Sequence, residues 1–123
     1  MIRTTLFGLA LSALTGPALA EPFTMLIYET PEDIALRSDV GAAGAAYWTL
    51  WAEYSAELAA SGAVRGGAPL MIDEADGAAL SGYFILEAAS HAEAEALAAS
   101  APAALRDGRV VVVPHLAVPG MSN

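Results

Sequence analysis

YFILEAASHAEAEALAAS, residues 83–100, carries a strand and a helix in direct succession. Tyr83 to Glu87 is rich in aromatic and branched side chains, the composition of a strand. Ser90-His91-Ala92-Glu93 is a capping box, in which the serine hydroxyl satisfies a free N–H of the first helical turn and the glutamate reaches back to the cap. An alanine-rich helix follows to about Ser100, with Pro102 as its stop. Beyond it, Asp107-Gly108 makes a turn and Val110 to Val113 forms a last strand before a proline-punctuated tail.

Working back from Tyr83, Leu70 to Ser81 reads as a loop or short hairpin holding Asp73, Glu74 and the turn pair Asp76-Gly77. Ala63 to Gly67 forms a strand in which Gly66-Gly67 lets backbone or ligand approach closely. Before it lies a helix from about Val40 to Ser61, opened by Ser38-Asp39 and closed by Gly62 as a glycine just past a helix end would close it. Its apolar face holds Tyr47, Leu50, Trp51, Tyr54 and Leu58. Thr30-Pro31-Glu32-Asp33 opens a short helix, with threonine as cap and two carboxylates at the positive end of the dipole. Phe23 to Tyr28 (FTMLIY) is the first strand. The order is β-α-β-β-α-β, which predicts an α+β, ferredoxin-like fold with two helices on one face of an antiparallel sheet.

Three of the strands, Met25 to Tyr28, Tyr83 to Leu86 and Val110 to Val113, are apolar at consecutive positions. A sheet wetted on one side alternates apolar with polar residues, so both faces are expected to be covered. Helices supply one cover, and a second copy packed sheet against sheet supplies the other. A homodimer is therefore expected.

Residues 1–20 read as a secretory signal. Arg3 gives the positive start, Leu6 to Leu14 the apolar centre, and Gly16-Pro17 precedes Ala18-Leu19-Ala20, a small-residue cleavage pattern. The apolar run is shorter than the roughly 20 residues a membrane span needs, so no stable membrane insertion is expected after cleavage. This predicts a periplasmic or secreted domain over residues 21–123. That domain keeps four of the five basic residues and all fourteen acidic ones, a formal charge of −10, and contains no lysine. Scattered arginines on so acidic a chain exclude a phosphate-tracking nucleic-acid surface. The absence of cysteine excludes thiol chemistry and disulfide support.

No complete catalytic constellation is present. The two histidines, His91 and His115, have no metal-ligand spacing and read as a cap-region residue and a strand-end residue. No cofactor and no metal are expected. Trp51 falls within the core face of the long helix, whereas Trp48 lies on its flank, where a half-exposed indole serves a dimer or ligand contact. Tyr28 and Tyr83 sit at strand ends, and Glu29 follows the first strand. Tyr28, Glu29, Trp48, Tyr83 and Asp73 are accordingly the candidate ligand-binding residues, for a small apolar or aromatic molecule. The competing reading is a lyase or isomerase in which Glu29 or Asp73 is the base and Tyr83 a polarising donor. Glu53, Glu57, Glu93 and Glu95 read as solvating charges.

The segments MLIYETPEDIALRSD, AYWTLWAEYSAEL, ASGAVRGGAPL, LSGYFILEAASHAEAEALAASAP and RVVVVPHLAVP resemble, in order, the YCII-related (DGPF-domain) family over about residues 24–119. The resemblance implies a dimeric α+β barrel with one pocket per subunit between sheet and helix. The family's function is mostly unassigned, and some relatives resemble small-molecule enzymes acting on aromatic-derived compounds, with a histidine on the first long helix paired to an aspartate beyond the second strand. The chain departs from that pattern at two places. The helix position of that histidine falls on about Trp51, and the Asp-Gly-Pro-Phe loop is missing, because the only Asp-Gly between Leu70 and Gly82 is followed by Ala78-Ala79. The resemblance thus implies a retained pocket without the acid–base pair.

Overall fold

The computed structural model describes residues 19–72 and 77–121. The expected signal segment lies almost wholly outside the described residues. The rest is α+β, a four-stranded antiparallel sheet with helices, compatible with a ferredoxin-like arrangement. Strand β1 (Glu21–Glu29) leads into the short helix α1 (Pro31–Ala35) and a 3-10 turn (Leu36–Ser38), then helix α2 (Ala42–Ser61) and strand β2 (Val64–Pro69). Strand β3 (Ala79–Ala88), helix α3 (His91–Ala98), the one-turn helix α4 (Pro102–Leu105) and strand β4 (Arg109–Pro114) complete it. The sheet order is β2-β3-β1-β4 with every neighbouring pair antiparallel.

Local signals explain most boundaries. The Thr30 hydroxyl accepts the Asp33 N–H at the head of α1, and the Ser90 hydroxyl accepts the Glu93 N–H at the head of α3. Gly62 ends α2 at φ 78°, a left-handed conformation that costs glycine little. Four expectations need correction. Helix α2 begins at Ala42 with Gly41 as its cap residue, because the Asp39 carboxylate accepts the Gly41 N–H and fastens the preceding turn instead of starting the helix. Leu50 is exposed, whereas Gly44, Tyr47, Tyr54 and Leu58 form the buried face. Strand β3 starts at Ala79, inside the stretch expected as a loop, because β1 extends to Glu29 and pairs with it there. Pro102 ends nothing: it stands at the first position of α4, where its missing N–H is no loss.

Strand alternation decides what lies where. On β1, Phe23, Met25, Ile27 and Glu29 are buried, and Thr24, Leu26 and Tyr28 between them are half-buried. The buried set joins Tyr54 and Leu58 of α2, Leu86 and Ala88 of β3, and Ala94 and Ala98 of α3 in one core. Full burial of Phe23, Met25 or Leu86 contributes roughly 1.5–3 kcal/mol each. The other face carries Leu26, Ile85, Val111 and Val113, matched across the strands by register. In the single chain these side chains stay partly exposed, so only one face of the sheet is fully buried.

Candidate functional site

Between α2 and the sheet lies a cavity of about 320 Å³. Its roof is one side of α2, with Tyr47, Trp51 and Ser55 at four-residue spacing, so that successive turns present them in line. Trp48 stands at the rim, 41% exposed. The floor is formed by Ile27 and Glu29 of β1, the Gly67 to Pro69 segment of β2 and the Ser81 to Phe84 segment of β3. Gly67 has φ 155°, and a Cβ there would lie 2.5 Å from the Tyr83 carbonyl oxygen and 2.8 Å from the Phe84 ring, so only glycine keeps β2 this close.

The two ends of the cavity differ in chemistry. At the first, Glu29 continues the inward alternation of β1 and is 1% exposed. Both of its oxygens accept from the Tyr47 hydroxyl at 2.9 Å, and one accepts from the Arg37 guanidinium at 3.2 Å. Arg37 also donates to the Tyr47 oxygen at 3.1 Å and to the Leu70 and Ser81 carbonyls at 2.7 Å each. The ion pair is thereby bound into the ends of β2 and β3. Removing one member of such a buried pair costs about 3–5 kcal/mol, because the other charge is left without a partner. Burial pushes the Tyr47 hydroxyl up to about 12, reinforced by the nearby Glu29 and opposed by the Arg37 hydrogen bond. Tyr47 is a neutral donor at any ordinary pH.

At the second end, Trp51 meets Tyr54 edge-on at 6.0 Å, and Tyr54 meets Phe84 in the same manner at 6.0 Å. The Tyr54 hydroxyl is spent on the Leu97 carbonyl at 2.7 Å. The indole N–H of Trp51 is buried and has no hydrogen-bond partner, alone in this among the side-chain polar atoms described. An unmatched buried donor costs about 1–3 kcal/mol. The Trp48 N–H, by contrast, donates to the Arg37 carbonyl at 3.3 Å.

Of the residues singled out by sequence, Glu29, Trp48 and Tyr83 border this cavity. Tyr83 lies opposite Leu26 in the register and so takes the parity of the outer sheet face. Tyr28, one residue before Glu29, also takes the outer parity, and its ring lies 4.0 Å beneath the Arg109 guanidinium. Asp73 lies outside the described residues. Glu53, Glu57, Glu93 and Glu95 are exposed. His91 stacks on Phe23 and donates to the Val112 carbonyl at 3.0 Å, while His115 pairs with the Thr24 hydroxyl at 2.6 Å.

Sequence reading missed Arg37, Tyr47 and Trp51 as site residues. A signal for the first two was present: counting by twos from Phe23 puts Glu29 on the buried face, and a buried carboxylate requires a cation and a donor. Among the described residues no cluster of three metal-ligating side chains occurs, and no helix is long and apolar enough to cross a membrane. No protein-family model matches the chain, and no curated protein matches it.

Proposed function

We propose that the protein is a non-catalytic small-molecule-binding or accessory protein of the periplasm or extracellular space, a homodimer related to the YCII-type α+β barrels. The observation that carries the reading is the cavity of about 320 Å³, roofed by aromatic side chains and floored by glycine-bearing strands, of a size that suits a compact organic molecule. Its polar end favours binding over a lyase or isomerase with Glu29 as base. A base must be free to take a proton, and the Glu29 oxygens already accept from Tyr47 and Arg37. The dimer reading rests on the outer sheet face, where Leu26, Ile85, Val111 and Val113 would pack against the same residues of a second copy. Secretion rests on the leader-like pattern of residues 1–20.

A metabolite panel read by thermal shift and tryptophan fluorescence tests the binding function. Quenching of fluorescence with a raised Tm for at least one aromatic or apolar compound is expected, and silence across the panel would contradict it. Sedimentation at micromolar concentration addresses assembly, with a dimeric mass expected and a monomeric mass contradicting it. Native mass spectrometry of protein recovered from the periplasm reports cleavage after Ala20 and any retained ligand together.

A further inference from the structure

We infer that Ser55 is a ligand-recognition residue of the cavity, and that the ligand is an apolar, ring-sized compound whose hydroxyl group hydrogen-bonds to the Ser55 hydroxyl. The inference rests on the binding function proposed above and specifies its ligand class. Two observations carry it. The first is which polar side chains of the wall are already engaged. The Tyr47 hydroxyl donates to Glu29, the Ser81 hydroxyl to the Ile27 carbonyl at 3.3 Å, and the Arg37 guanidinium to Glu29, Tyr47, Leu70 and Ser81. The Trp51 N–H is fully enclosed and out of a ligand's reach. Ser55 differs from all of these. Its hydroxyl has no hydrogen-bond partner among the described residues, yet it is not an enclosed unmatched atom, so on this half-buried side chain it is open to water.

Its position in the helix explains this. Ser38, Ser61 and Ser100 stand at or just past helix ends, where carbonyls are left over, and each hydroxyl donates to the carbonyl three residues back. Ser55 stands within α2, where the carbonyls already accept N–H groups of the following turn. The second observation is its place in the wall. Ser55 lies about 12 Å along the helix axis from Tyr47, at the end of the cavity away from the ion pair. It borders the cavity on the flank of α2 that also carries the exposed Trp48 and Ala52, with Trp51 one turn before it. An apolar body lying along Trp51 and Phe84 therefore brings one end to the Ser55 hydroxyl. A serine hydroxyl donates and accepts, and a second hydroxyl is the group that answers both capacities.

Two naphthalenes of matched shape, 2-naphthol and 2-methylnaphthalene, test this against wild type, Ser55→Ala and Ser55→Thr at pH 7. Binding is measured by equilibrium dialysis, with the fluorescence of the naphthalene as readout. Alanine is the best helix former, so Ser55→Ala leaves α2 intact. Ser55→Ala is expected to weaken 2-naphthol about fivefold, the loss of one hydrogen bond, and to change 2-methylnaphthalene by less than twofold. Ser55→Thr keeps the hydroxyl and should restore the ratio between the two compounds seen in wild type. An equal effect of Ser55→Ala on both compounds, or none on either, would overturn the Ser55 inference while leaving the binding function intact. Failure of both compounds to bind the wild-type protein would contradict the inference and the binding function beneath it.

Discussion

The two ends of the cavity under α2 are built to opposite rules. At the Glu29 end every strong group is matched: Tyr47 and Arg37 donate to the carboxylate, and Arg37 continues into the carbonyls of Leu70 and Ser81. At the Trp51 end a buried donor is left without an acceptor. A fold optimised only for stability would match both ends, since an orphan N–H destabilises and a matched pair does not. The difference teaches that the first end is tied into the architecture by polar contacts, whereas the second is held by aromatic packing that leaves one donor unmatched.

Substitutions can break or sharpen that contrast. Arg37→Ala should have the largest effect, a loss of about 3–5 kcal/mol in urea unfolding, because it strands the buried Glu29 carboxylate. Adding Glu29→Gln to it should restore part of that loss, and if the double variant is as unstable as the sum of the two single ones, the ion pair is not the unit described here. Next comes Tyr47→Phe, which removes a donor to an ionised group and should cost about 1.5–3 kcal/mol at neutral pH.

Tyr47 also makes a pH prediction, which Tyr54 shares, since burial raises both hydroxyls to about 12. Between pH 10 and pH 12 the unfolded chain releases these protons while the folded protein retains them, so stability falls as pH rises through that window. Tyr54→Phe and Tyr47→Phe should each flatten the decline in alkaline urea titrations. An unchanged slope in both would show that the hydroxyls are not held by burial.

Gly67→Ala should cost about 1–3 kcal/mol through backbone strain and should also impair ligand binding, because the added Cβ pushes against the Tyr83 carbonyl and the Phe84 ring. Trp51→Phe should have the smallest effect on the ligand-free protein, a change in stability within about 0.5 kcal/mol or a small gain, since it deletes an unmatched donor and keeps an aromatic ring. A large loss on Trp51→Phe would mean that the N–H is already matched, and the contrast between the two ends would collapse.

Much of the fold was legible because short-range chemistry writes it. Thr30 and Ser90 cap helices, Gly62 closes one, and the order of apolar runs gives a four-stranded antiparallel sheet with helices. What local signals could not show was pairing. Ala79 to Gly82 contains no strong strand former except Leu80, yet it is strand because β1 reaches Glu29 and offers its edge there. The candidate site was half legible for the same reason. Glu29 and Trp48 stood out by position, but Arg37 matters only because β1 buries Glu29 eight residues earlier in the chain. Trp51 looked like ordinary core, and whether its N–H finds an acceptor depends on side chains from three strands. Tyr28 shows the converse: one residue from Glu29 in sequence, it belongs to the opposite face of the sheet by the period of two.

The most direct measurement is a crystal structure of the protein with the aromatic or apolar compound that raises its Tm most in the metabolite panel. The account predicts the compound under α2, beside Trp51 and Phe84, with the Glu29, Arg37 and Tyr47 contacts unchanged. An empty cavity with the compound bound elsewhere, or a compound seated with the Glu29–Arg37 pair broken, would contradict it.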